Sequence, residues 1–371
     1  MTRTYLDHNA TSPIRPEVID MTARAMAFAG NPSAQHGEGR AANKLISDAR
    51  EAVGLAMGVC AQDIIFNGCG TEGDNTAVHS AVKAGCKRLL ISAMDHPATI
   101  LAAQSYDVTV DIIPADANGV GDMGWLKDTL DNWDESDGRP FVSLVAANSE
   151  TGVIQPTEQA TEFVGEAGGL ILIDAVQALG KLPMTYMADY ISVSAHKVGG
   201  PQGVGALYVA PDAPYTSLLQ GGGQERRRRA GTMNVAGIAG FGAAVQAMND
   251  LSHTEALRDK LEEGLKALEP NLTIFGELAN RLPNTSFFAV PDASSMTTMM
   301  ALDLEGISVS TGTACSSGKV GASRAITAMG RSDEAPKGAV RVSFGYTSKQ
   351  ADVDNILKAW AKVRHKNKKA A

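Results

Sequence analysis

Leu170-Ile171-Leu172-Ile173-Asp174 and, further on, Tyr190-Ile191-Ser192-Val193-Ser194-Ala195-His196-Lys197 decide how this chain is read. The first is a short apolar run that ends in a carboxylate. The second ends in a lysine, just before Gly199-Gly200-Pro201. Short apolar runs closed by turn residues read as strands buried on both faces. A buried strand ending in Asp, with Gln177 just beyond it, beside a strand ending in Lys is what pyridoxal phosphate chemistry needs. The lysine forms the Schiff base, and the aspartate keeps the pyridine nitrogen protonated so that the ring draws in electrons. Alone, a lysine after a strand is an ordinary solvated end. In the company of Asp174, Gln177, Ser194 and His196 it reads as functional.

Working outward, apolar runs alternate with helical stretches. Strands are predicted at Ile64–Phe66, Arg88–Ser92, Val108–Ile113, Phe141–Ala146 and Val204–Val209, besides the two above. Helices are predicted at Arg15–Ala29, Asn43–Met57, Thr71–Ala84, Ala98–Ser105, Gly124–Asn132 and Glu158–Ala167. This alternation implies an α/β fold with a mostly parallel, helix-covered sheet. A long helical stretch from about Gly237 leads into a smaller α+β domain. That domain contains Arg341–Phe344 as a strand and Ser348–Val363 as a helix. The basic end, His365-Lys366-Asn367-Lys368-Lys369, reads as a frayed tail.

Composition narrows the class. The chain has 371 residues, 44% of them hydrophobic and 20% charged, with a net charge of -8. An acidic chain argues against a general role on nucleic acids or membrane surfaces. No stretch approaches the roughly 18 apolar residues of a membrane span. The start, Met1-Thr2-Arg3-Thr4-Tyr5, carries no signal-peptide core. Cys60, Cys69, Cys86 and Cys315 lack zinc-site spacing and read as reduced thiols of a cytoplasmic protein, with no metal expected.

The phosphate of such a cofactor has a candidate cradle in Phe66-Asn67-Gly68-Cys69-Gly70-Thr71-Glu72, a strand passing through a glycine-rich turn into a helix. Backbone N–H groups at a helix N-terminus bind phosphate, with Gly70 allowing close approach and Thr71 adding a hydroxyl. By itself the segment would be an ordinary strand–helix turn capped by Thr71. His96, in Met94-Asp95-His96-Pro97, follows another strand. It could cap that turn, or lie over the cofactor ring and shuttle a proton near neutral pH.

The whole set of motifs resembles the cysteine desulfurases, the NifS/IscS-like branch of the class V aminotransferases. The resemblance is carried by Tyr5-Leu6-Asp7-His8-Asn9-Ala10-Thr11, Asn31-Pro32-Ser33, Gly37-Glu38-Gly39-Arg40, Glu150-Thr151-Gly152 and Asp174-Ala175-Val176-Gln177. It continues through Ser194-Ala195-His196-Lys197, Gly221-Gly222-Gly223-Gln224-Glu225-Arg226, Gly231-Thr232, Ser310-Thr311-Gly312-Thr313-Ala314-Cys315-Ser316-Ser317-Gly318 and Val340-Arg341-Val342-Ser343. It implies the aminotransferase-like fold type I and a homodimer. It also implies a large pyridoxal phosphate domain over 15–250 and a small domain made of 1–14 plus 251–371 that carries a mobile cysteine loop.

Residue roles follow from the same resemblance. Lys197 bonds the cofactor, Asp174 pairs with its ring nitrogen, Gln177 binds its ring hydroxyl, and Thr71, Ser194 and His196 hold its phosphate. Thr232 reaches the phosphate of the neighbouring subunit. Arg341 and Asn31 bind substrate, and Cys315 receives sulfur from L-cysteine to become a persulfide, leaving L-alanine. A sulfur-acceptor protein such as an iron–sulfur scaffold is implied, for iron–sulfur cluster or other sulfur-containing cofactor synthesis. The short basic tail points to the NifS-type branch. The alternatives on this scaffold are a selenocysteine lyase or a class V aminotransferase, and Cys315 speaks against the latter. A catalytically idle adaptor is opposed by the intact Lys197, Asp174 and Cys315.

Three positions depart from the pattern. Ser149 stands where the family's second asparagine contacts the ring oxygen. Asn67-Gly68-Cys69-Gly70 replaces the usual Thr-Ser-Gly-Ala, which sets Cys69 beside the cofactor. The run Arg226-Arg227-Arg228-Arg229 is unusually basic and reads as an interface or a solvated turn.

Overall fold

A computed structural model describes residues 3–311 and 323–370, with side chains to residue 365 at the C-terminal end. Its centre is a seven-stranded sheet in the order Ile64–Asn67, Gly205–Val209, Tyr190–Ser194, Leu170–Asp174, Phe141–Val145, Arg88–Ser92, Thr109–Ile113. All neighbouring pairs run parallel except those made by Gly205–Val209, which is antiparallel to both of its neighbours.

Period-two alternation explains why these runs lack polar faces. Ile171, Ile173, Val142, Leu144, Ile191 and Val193 enter one apolar layer, shared with the helices Pro16–Met26, Gly37–Met57 and Val235–Gln246. Leu170, Leu172, Phe141 and Tyr190 enter the other, under the helices Gly70–Lys83 and Pro97–Gln104. Asp174 sits in register with Val145 on one side and Ser192 on the other. The carboxyl ends of the central strands therefore open at one level, where α/β sheets bind ligands.

The smaller body has a four-stranded antiparallel sheet ordered Ser310–Thr311, Val340–Ser343, Thr285–Ala289, Thr273–Ile274. Thr4–Tyr5 pairs in parallel with Ile307–Ser308, and Leu6 is buried in the same core as Phe288, Val342 and Trp360. The N-terminal segment thus crosses from this core to the large sheet.

Several element bounds differ from the sequence reading. The second helix starts at Gly37, where His36 Nδ1 accepts from the Gly39 N–H. Glycines at 37 and 39 disguise this start. A Cβ on Gly39 would lie 2.2 Å from the Ala34 carbonyl oxygen, so close packing demands the residue that propensity penalises. The long stretch after Gly237 divides into Val235–Gln246 and His253–Leu268. The frayed-tail reading is corrected as well, because the last helix runs from Gln350 to Ala370. Val363 is buried, and Arg364 pairs with Glu269 at 2.5 Å and Asp292 at 2.8 Å, which anchors the helix close to its basic end. Among the described residues no helix is long and apolar enough to cross a membrane.

Candidate active site

A cleft of about 570 Å³ opens where the strand ends meet the smaller body. Lys197 lies on the tight turn Ala195–Val198 that directly follows its strand, and its Nζ donates to the carbonyls of Asn9 at 2.6 Å and Ala10 at 2.9 Å. Asp174 ends the neighbouring strand, is 4% exposed and accepts from the Val176 N–H at 2.9 Å. Gln177, three residues beyond Asp174, donates through Nε2 to the Asn9 carbonyl at 2.9 Å.

The turn into helix Gly70–Lys83, expected as a phosphate cradle, brings Gly70 and Thr71 to the lining of the cleft. A Cβ on Gly70 would meet Val176 Cγ2 at 2.5 Å, so the turn closes only on glycine. Ser194 also lines the cleft. Its Oγ is buried with no hydrogen-bond partner among the described residues. His196 Nδ1 lies 3.2 Å from Thr11 Oγ1, and burial, reinforced by Lys197, pushes its pKa down to about 4.

His96 takes the capping role and also lines the cleft. Its Nδ1 accepts from the Ala98 N–H at 3.1 Å and caps the helix Pro97–Gln104. The capping bond assigns the neutral tautomer with hydrogen on Nε2, in a ring that lines the cleft. Burial lowers its pKa against the pull of Asp174.

Arg341 emerges from the smaller body. It donates to the Ser149 carbonyl at 3.0 Å and to Asp7 Oδ1 at 2.7 Å, while its buried Nε has no partner among the described residues. Ser149 lines the cleft, and its carbonyl also accepts from Asn9 Nδ2 at 3.2 Å.

Two expected residues lie apart from this cleft in the single chain. Thr232 is exposed, and Asn31 is exposed with its Oδ1 accepting the Ser33 N–H at 2.9 Å. Cys315 and the run around it fall outside the described residues. Cys69 does line the cleft as a free thiol. In the arginine run, expected as an interface or a solvated turn, Arg226 and Arg227 are exposed and Arg228 and Arg229 half-buried. Arg226 and Arg228 both donate to the Gln62 carbonyl, at 2.8 and 2.7 Å, and Arg229 pairs with Glu72 at 2.8 Å.

Sequence reasoning missed several polar groups. Asn9 sits in a quoted motif but received no role, although its carbonyl serves both Lys197 and Gln177. Asp74, Asp95 and Asp174 are buried close enough to repel one another, and burial raises each of their pKa values, that of Asp95 to about 7. Asp95 is held by Ser143 Oγ and the Val145 N–H, both at 2.6 Å, while Ser192 donates to Asp74. Glu150, pushed up by burial to about 7, accepts from Ser323 Oγ at 2.5 Å. A lone Asp or Glu gives no local signal that the fold will bury it. Only the Asp95-His96 adjacency hinted at this group.

The profile of the aminotransferase class-V family matches residues 4–356. The chain belongs to that family. It is 39% identical over 370 residues to a cysteine desulfurase of Cereibacter sphaeroides, covering 96% of this chain and 94% of that one. It is 36% identical over 375 residues to the cysteine desulfurase NifS of Azotobacter vinelandii, covering 96% and 92%. A solved NifS-like protein superposes with a TM-score of 0.90 at 33% identity, covering 98% of this chain and 100% of that chain. A NifS-like protein from Rickettsia africae gives 0.89 at 30% identity, covering 98% and 99%. The expected fold type I arrangement, a mostly parallel sheet beside a smaller α+β body, is the one found.

Proposed function

We propose that this chain is a pyridoxal phosphate-dependent cysteine desulfurase that takes the sulfur of L-cysteine onto Cys315 as a persulfide and leaves L-alanine. One observation carries the reading: the Lys197 amine, held by two backbone carbonyls, shares a cleft with buried Asp174 and with the Ser194 hydroxyl, which has no partner among the described residues. The residues fit the cofactor. Ser194, Thr71 and the N–H groups at Gly70 offer donors to a phosphate, and buried Asp174 favours a cationic group such as a protonated ring nitrogen beside it.

When bound, pyridoxal phosphate supplies a carbonyl that captures amines and a ring that stabilises negative charge on the carbon next to the captured nitrogen. Lys197 would hold that carbonyl until the substrate amine displaces it, and then serve as a free base. Asp174 would keep the proton on the ring nitrogen. Gln177 would donate to the ring hydroxyl, and Ser149 lines the cleft where the family's asparagine meets the ring oxygen. His96, neutral and fixed by its capping bond, would carry a proton on Nε2. Arg341, steadied by Asp7, would bind the substrate carboxylate by charge-assisted hydrogen bonds. The Cys315 thiolate would attack the substrate sulfur. The carbon–sulfur bond breaks, its electron pair stays with carbon, and a proton completes the methyl group of alanine.

We further infer a homodimer in which Thr232, exposed in the single chain, completes the phosphate site of a second copy. The large body over 15–250 would hold the cofactor, and the small one over 1–14 plus 251–371 would carry Cys315. A cytoplasmic setting suits reduced thiols, and an acceptor protein would take the persulfide sulfur toward iron–sulfur clusters or other cofactors. The test is to incubate the purified chain and pyridoxal phosphate with L-cysteine, then measure alanine and protein-bound persulfide together. Alanine in step with persulfide on Cys315 is expected. A keto acid in place of alanine, or persulfide on Cys69 with full turnover, would overturn the reading.

A further inference from the structure

Lys181 has no part in the chemistry above, yet its amine holds two residues that line the cleft. It donates to Gln177 Oε1 at 2.6 Å and to Asn9 Oδ1 at 3.0 Å. The orientation of both amides is fixed by carbonyls, which can only accept. Asn9 Nδ2 donates to the Ser149 carbonyl at 3.2 Å, and Gln177 Nε2 donates to the Asn9 carbonyl at 2.9 Å. Each amide therefore turns its oxygen to Lys181. The same Asn9 carbonyl accepts from Lys197 Nζ at 2.6 Å, so both lysines and Gln177 converge on one residue. Gln177 is gripped at its oxygen and at one of its two N–H bonds. One N–H is left for the cleft.

We propose that Lys181 is a positioning residue that pins Gln177 by its carboxamide oxygen and so aims the remaining Gln177 N–H at the ring hydroxyl of pyridoxal phosphate. The inference rests on the cofactor reading above. The Lys181 side chain is half-buried. Burial first, then the charges of Lys197 and Arg341, push its pKa well below that of an ordinary lysine. Its amine donates to the two amide oxygens. Desolvating an amine against neutral acceptors costs stability that an apolar side chain of the same length would not.

Lys181→Met keeps the length and removes the donor. Apo forms of the wild type, Lys181→Met, Gln177→Met and the double variant are titrated with pyridoxal phosphate, and the pH midpoint of the bound cofactor's visible band is measured. Lys181→Met should weaken cofactor binding about fivefold, the cost of one hydrogen bond. It should move the midpoint in the same direction as Gln177→Met and add nothing in the double variant, because both act through one bond. A folded Lys181→Met with wild-type affinity and midpoint, or shifts that add, would overturn the proposal. If Lys181→Met does not fold, Lys181→Gln decides. Its shorter donor must shift the midpoint in the wild-type background and leave it unmoved beside Gln177→Met. A wild-type chain that gives no visible band would refute the cofactor reading and this proposal together, a result distinct from a failure of Lys181 alone.

Discussion

The cleft has two walls built in different ways. On one, Asp174 ends its strand in register with Ser192 of the next, which runs on through Ser194 into the turn that bears Lys197. On the other, Arg341 is steadied by Asp7, a partner 334 residues away along the chain, and Glu150 is tied to Ser323 across 173. The strand-end wall inherits rigidity from the sheet. The other wall is stitched by single polar contacts, each of which one substitution can undo. On the proposed function, the electron-handling groups would stand on the sheet-backed wall and the substrate grip on the wall of single polar contacts.

The sharpest break of the first wall is Lys197→Ala. Activity should fall by about four orders of magnitude or more, as for loss of a covalent catalyst. Borohydride should then fail to fix the cofactor to the peptide that bears position 197. Reduction-stable label on another lysine would reassign the role.

On the second wall, Arg341→Ala should raise the KM for cysteine by roughly two orders of magnitude, from a loss of about 2–5 kcal/mol, and leave pyridoxal phosphate affinity nearly unchanged. Asp7→Asn should follow it with a smaller rise, about tenfold at most, since it loosens the guanidinium without removing it. Equal effects would show that Asp7 meets substrate itself.

His8 lies on the segment that joins the walls. It is 1% exposed, and burial holds its pKa down at about 3 against an ordinary 6.5. The unfolded chain takes up the proton first, so stability is full above pH 6.5 and drains as the pH falls toward 3. Between pH 6.5 and 4 this one group should cost roughly 3 kcal/mol. Denaturant melts of His8→Asn should show a flatter acid limb; an unchanged limb would place the acid sensitivity elsewhere.

The smallest effect is expected from Ser194→Ala. With no protein partner for its Oγ, apo stability should hold or rise slightly, while pyridoxal phosphate affinity drops about five- to tenfold. A destabilised apo chain with unchanged affinity would mean that the hydroxyl serves the fold.

What the sequence by itself determined is local. Apolar runs of one strand's length, ending in Asp174 and Lys197, gave the sheet, the level of the cleft and the first wall, because side-chain alternation and strand-end turns are written within a few residues. Gly37 and Gly39 show the limit of that logic: propensity reads a loop there, yet the helix starts at Gly37 and Gly39 lets it pack closely on Ala34. Only the tertiary structure decided that Asn9 would join Lys197, Gln177 and Lys181, that Asp74 and Asp95 would be buried near Asp174, and that Asp7 would hold Arg341. Those groups meet across hundreds of residues. A polar side chain's partner and charge state follow from which distant surfaces close over it, and no period or motif in the chain records that.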